Sequence, residues 1–95
     1  MATYILGEVR FSDPELYEKY TSGFPAVFAK FGGRVLAVDD APVTLEGKAN
    51  GERLVLLEFS DREAAERFWN SPEYRELVKY RHAAADSRIL RFEGL

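Results

Sequence analysis

The chain has 95 residues, a length that suits one domain spanning 1–95. Its formal net charge is −3, from 13 basic against 16 acidic residues, and that balance argues against the basic surface on which non-specific nucleic-acid binding depends. Cysteine is absent and histidine occurs once, at His82, which excludes disulfides, thiolate nucleophiles, zinc–cysteine sites and histidine clusters.

The apolar stretches fall well short of the ~20 residues that span a bilayer. The first ten residues carry both an acid and a base, unlike a secretory leader. The expectation is a cytoplasmic protein that engages neither membrane nor nucleic acid. No Walker A loop, Rossmann glycine pattern or nucleophile elbow is present, so the sequence points to no cofactor and no metal.

Residues 3–11 alternate and are rich in β-formers, which predicts a strand. Ser12 or Asp13 then offers an N-cap, with Pro14 near the first helical position and Glu15 in the first turn. Leu16, Tyr20, Phe24, Val27, Phe28 and Phe31 follow at steps of three and four, one apolar helix face. Pro25 removes the backbone bond to Thr21, so a kink or short break is expected near Ser22–Pro25. Gly32 or Gly33 stops the helix, and a second strand covers roughly 33–39.

Residues 39–42 read as a turn and 43–47 as a short extended piece, followed by the hairpin dipeptide Asn50-Gly51. The run 53–60, "RLVLLEFS", is a strand, and Ser60 or Asp61 caps the helix after it. "WNSPEY" at 69–74 interrupts that helix and restarts it: Asn70 or Ser71 caps and Pro72 opens a new piece running to about Ala84. Residues 87–94 form the last strand.

The order β-α-β-(β)-β-α-β repeats β-α-β twice. It predicts an α+β, ferredoxin-like antiparallel sheet with two helical segments on one face. Strand parity then indicates what lies on the other face. Val55, Leu57 and Phe59 oppose Leu54, Leu56 and Glu58; Ile5, Val9 and Phe11 oppose Tyr4, Leu6, Glu8 and Arg10; Leu90 and Phe92 oppose Ile89, Arg91 and Glu93. The mixed faces carry Leu, Ile and Tyr among their charges, a composition that suits burial against a partner. A homodimer paired through the sheets is therefore expected.

Several fragments together resemble a known family: Tyr17 and Tyr20 of "YEKY", "FGGRVLA" (31–37), "LEG" (45–47), "LLEF" (56–59), "AAERFWNSPEYRELVKYR" (64–81) and Ser87. They are similar to "domain of unknown function 1330", in the dimeric α/β-barrel superfamily, and the likeness covers essentially the whole chain. The resemblance implies a ferredoxin-like protomer whose sheet pairs with a second copy as a dimeric α/β barrel. It supplies no reaction.

Candidate chemistry gathers on a few side chains, each with a plain structural role beside the chemical one. Trp69 and Tyr74 either pack between helix and sheet or wall a small cleft. Arg81 follows Tyr74 by seven residues on one helix face; it either pairs with Glu46 or Glu58, or binds a carboxylate or enolate-like anion. Glu46 and Glu58 are candidate general bases if burial raises their pKa, and ordinary rim or ion-pair acids otherwise. Arg34 either points into the barrel or pairs with an acid across the dimer. Tyr20 is core or a polar handle on a ligand. His82 is expected at the surface. Together these residues suggest a small dimeric protein that binds or converts a small organic acid without a cofactor; the alternative is a non-catalytic structural or ligand-binding homodimer.

Overall fold

In a computed structural model of the protein, which describes residues 1–48 and 51–95, two βα units share one four-stranded antiparallel sheet. The elements are β1 (Thr3–Phe11), α1 (Pro14–Phe28), β2 (Arg34–Asp39), β3 (Arg53–Phe59), α2 (Arg62–Asn70), α3 (Pro72–Ala84) and β4 (Ala85–Glu93), with a 3₁₀ turn at Ala29–Phe31. The spatial order of strands is β2-β3-β1-β4, the ferredoxin-like arrangement expected from the order of elements.

The caps explain where the helices begin. Asp13 accepts a hydrogen bond from the Leu16 amide at 3.2 Å, and Asp61 accepts one from Ala64 at 2.8 Å. Ser71 serves two helices: its hydroxyl donates to the Phe68 carbonyl at 2.9 Å and accepts from the Tyr74 amide at 3.1 Å. It thus ends α2 and starts α3. Gly32, at φ 70°, closes the 3₁₀ turn in the left-handed conformation that favours glycine.

Two expectations are corrected. Of the kink or short break expected near Ser22–Pro25, the break is absent: helix α1 runs through Pro25. Only one backbone bond is lost there, and stacking of Phe24 on Phe28, 4.9 Å apart, clamps the turn that contains the proline. Residues 43–47 form no strand, and Val43 and Leu45 are exposed. Pairing of β2 with β3 engages Arg34–Asp39 and leaves 43–47 in the connection. The Asn50-Gly51 turn includes Asn50, which lies outside the described residues.

Parity holds along β1 and β3. Thr3, Ile5, Val9, Leu57 and Phe59 are buried under the helices. On β4 the expectation is reversed: Leu90 and Phe92 pair with Leu6 and Tyr4 and so lie on the face away from the helices, while Ile89 packs against the core. The core is aromatic and centred on Phe68, whose ring lies 4.3 Å from Tyr74, 5.4 Å from Phe28 and 5.5 Å from Phe59.

Gly33 enters β2 directly against this cluster. A Cβ there would stand 2.5 Å from Phe28 Cζ and 2.9 Å from Phe59 Cε1, and both rings are buried. Gly33→Ala is expected to destabilise the fold by about 1–3 kcal/mol through overpacking, read as a lower urea midpoint at unchanged slope. A midpoint equal to the parent's would show that the rings yield freely.

Candidate functional site

Between α1, α3 and the helix side of the sheet lies a cavity of about 220 Å³. Its floor is built from Ile5, Gly7 and Val9 of β1 with Val55 and Leu57 of β3; its roof is Tyr17, Tyr20 and Phe24 of α1; its inner wall is Phe68, Trp69, Tyr74 and Arg81. It opens past the exposed side chains of Thr21, Pro25 and Val38, between α1 and the edge strand β2.

The start of α3 at Ser71 fixes the chemistry of the inner wall. It places Tyr74, Leu77, Val78 and Arg81 on one buried helix face. Tyr74 is 3% exposed and Arg81 only 4%. The hydroxyls of Tyr20 and Tyr74 are 2.8 Å apart and share a hydrogen bond. The Arg81 guanidinium lies over the Tyr20 ring, 5.7 Å from its centroid.

Arg81 has no carboxylate within salt-bridge distance among the described residues, and its buried Nε–H has no acceptor. A second guanidinium, that of Arg53, lines the cavity and sits over Phe11 and Tyr17 at 5.0 and 5.8 Å. Its charge is answered by Asp40, to which Nε donates a hydrogen bond. The uncompensated charge of the cavity is therefore that of Arg81. Burial pushes the Tyr20 hydroxyl far above the ordinary phenol range, reinforced by Tyr74 and opposed by Arg81. Tyr20 thus stays protonated and remains a hydrogen-bonding group at the cavity wall.

The residue pattern over 2–95 matches the sequence profile called domain of unknown function DUF1330. The chain belongs to the DUF1330 family. Among solved structures it is similar to RPA0582, a protein of unknown function from Rhodopseudomonas palustris: 27% identity, TM-score 0.83, covering 99% of this chain and 82% of that one. A dimeric ferredoxin-like protein of unknown function from Thermobifida fusca superposes with TM-score 0.71 at 14% identity, covering 99% and 92%. SnoaB, a cofactor-independent oxygenase from Streptomyces nogalater, superposes with TM-score 0.71 at 15% identity, covering 99% and 93%. At such identities the last two show a shared fold alone. None of the curated proteins matches the sequence.

Of the side chains singled out in this DUF1330 sequence, Tyr20, Trp69, Tyr74 and Arg81 come together at the cavity. Glu58 and Arg34 do not. They lie on the opposite face of the sheet, where Arg34 Nε donates to Glu58 at 3.0 Å and the Tyr4 hydroxyl donates to the same carboxylate at 3.2 Å. Arg34 therefore has its acid partner within its own chain. Glu46 is exposed in the connection after β2. Neither expected partner of Arg81 reaches it, and neither candidate base lines the cavity. His82 is exposed, as expected.

Three lining residues were not among the sequence's candidates for chemistry: Tyr17, Arg53 and Gly7. Tyr17 could have been placed from its i, i+3 spacing to Tyr20 on α1. Arg53 gives no local signal, because its role comes from its position at the start of β3 next to Phe11. Gly7 had a signal in parity, since it occupies a helix-facing position between Ile5 and Val9.

The Arg34 hydrogen bond, with the Tyr4 hydroxyl, holds the Glu58 carboxyl below the usual carboxylate range. A depressed folded-state pKa contributes stability that is complete above the unfolded value, about 4.3, and is lost as pH falls through the folded value. Arg34→Gln should therefore flatten the acid limb of the stability–pH curve, measured as urea midpoints between neutral and acid pH. An acid limb as steep as the parent's would show that the pair carries none of this dependence.

Proposed function

We propose that this protein is a homodimer, paired through the open faces of its sheets, in which each protomer binds a small organic acid at Arg81. One observation carries the binding reading: Arg81, 4% exposed and without a carboxylate partner among the described residues, lines a largely apolar cavity of about 220 Å³. A buried charge is expensive unless paired, and the geometry of guanidinium matches a carboxylate with two parallel hydrogen bonds. Tyr20 and Tyr74 add hydroxyls beside it. Binding is favoured over conversion by a second observation: no carboxylate or histidine is among the lining residues, so the described residues bring no general base to a bound acid.

The dimer rests on the sheet face turned away from the helices. Tyr4, Leu6, Leu54 and Leu56 are half-buried there, while Leu90 and Phe92 are 37% and 45% exposed. Glu58 pairs with Arg34, and Arg88 lies 3.9 Å from Glu8, so these two acids have basic neighbours beside an apolar patch. Such a patch with a charged rim is the pattern of an interaction surface. Structural neighbours described as dimeric share this fold, which agrees with the reading.

A thermal-shift screen of small carboxylic acids tests the site. A binding acid should raise the melting temperature by about 4–8 °C per kcal/mol of linkage stabilisation in a domain of this size. Arg81→Met should weaken that acid by about 1.5–3 kcal/mol, roughly ten- to a hundredfold. Stabilisation that survives Arg81→Met removes Arg81 from the role. For the dimer, sedimentation equilibrium should give twice the 10.8 kDa chain mass, and Leu56→Arg should return the single-chain mass. A monomer for the parent at micromolar concentration ends that part of the proposal.

A further inference from the structure

Gly7 stands at the middle of the central strand β1, on the helix side, paired with Val55 on one neighbour and Ile89 on the other. Nothing in its backbone asks for glycine, because its φ is not positive. Glycine within a strand weakens it and gives the layer above nothing to pack on. The close neighbours of an added Cβ would be side-chain atoms, Ile89 Cδ1 at 3.3 Å and Val55 Cβ at 3.9 Å, and the nearer is the free end of a flexible chain. A small side chain would fit at Gly7 once Ile89 Cδ1 gives way by a few tenths of an ångström, and its volume would come out of the cavity.

The cavity therefore owes part of its floor to a missing side chain, and its inner wall holds Arg81, whose buried Nε–H has no acceptor among the described residues. Both features weaken the empty protein, and both become useful when one ligand fills the site. The rings of Tyr20, Phe24 and Phe68 line the same cavity as Gly7. Side-chain rings prefer offset or edge-to-face contact with another ring, and a flat ring at van der Waals contact occupies a layer of about 3.5–4.0 Å. A volume of about 220 Å³ exceeds the roughly 150 Å³ apolar cavity that admits benzene, leaving room for a single ring and its carboxylate.

We infer that the acid held at Arg81 is a monocyclic aromatic carboxylate whose ring lies over Gly7, and that Gly7 sets this preference. The inference rests on the organic-acid reading of the same site and adds the shape of the ligand and the residue that selects it.

The probes are benzoate and cyclohexanecarboxylate, which carry the same number of carbons and the same charge but differ in flatness. Titration calorimetry of the full chain should show benzoate binding at least about tenfold tighter. Gly7→Val should raise the melting temperature of the ligand-free protein, by filling the cavity and favouring the strand, and should weaken benzoate at least about tenfold. Gly7→Ala should do both to a smaller degree, and it carries the test if Gly7→Val does not fold. Equal affinity for the two acids overturns the ring while leaving the organic-acid reading intact. Benzoate affinity unchanged in Gly7→Val, or in Gly7→Ala where that variant carries the test, overturns the role of Gly7. Binding of open-chain acids but not of benzoate also overturns this inference alone. If no carboxylic acid binds the parent, this inference and the reading beneath it fall together.

Discussion

A guanidinium withdrawn from water without an opposing charge is the constraint around which this fold makes sense. Arg81 reaches that position because α3 starts where it does. Ser71 caps the helix, Pro72 occupies its first turn, and Tyr74, Leu77, Val78 and Arg81 then fall on the face turned to the sheet. Any residue at position 81 would be buried by this geometry. An apolar residue would satisfy the core and close part of the cavity, whereas arginine leaves a donor without an acceptor. The Tyr20–Tyr74 hydroxyl pair, the glycine in the floor and the charge-neutralised Arg53 nearer the mouth together leave one positive charge in an apolar enclosure.

The two faces of the sheet divide the work. On the helix side, charge is left open and space is left empty. On the far side, Glu58 accepts from Arg34 and Tyr4, and Glu8 lies near Arg88. The proposed dimer face and the cavity share no side chain: Tyr4, Leu6, Leu54, Leu56, Leu90 and Phe92 are not among the residues that line the cavity. Phe68 links the elements that shape the site, since it touches the rings of α1, β3 and α3 at once.

Much of this was legible in the sequence because it depends on local chemistry. The caps at Asp13, Asp61 and Ser71, the parity of β1 and β3, and the restart at "WNSPEY" are set by residues within one turn or one strand. Pro25 was misread for the opposite reason: its local preference is overruled by the stacking of Phe24 on Phe28 and their packing on Phe68. The segment 43–47 alternates like a strand but lies outside the stretch of β2 that pairs with β3. For the site, periodicity placed Tyr20, Tyr74 and Arg81 on inward faces but could not say what they meet. Glu58 looked available as a base until pairing of β2 with β3 put Arg34 beside it on the far side of the sheet. Gly7 carried a parity signal whose meaning depends on what stands above it.

The most direct measurement follows the Arg81 Nε–H itself. In nitrogen–proton correlation spectra of the arginine side chains, the Arg81 resonance can be assigned by its loss in Arg81→Lys. This resonance is expected to shift saturably as a binding carboxylate is added, and its exchange with water to slow as Nε–H gains an acceptor. A resonance that stays fixed while Arg53 or Arg75 responds would contradict that expectation, and would place the anion elsewhere on the molecule.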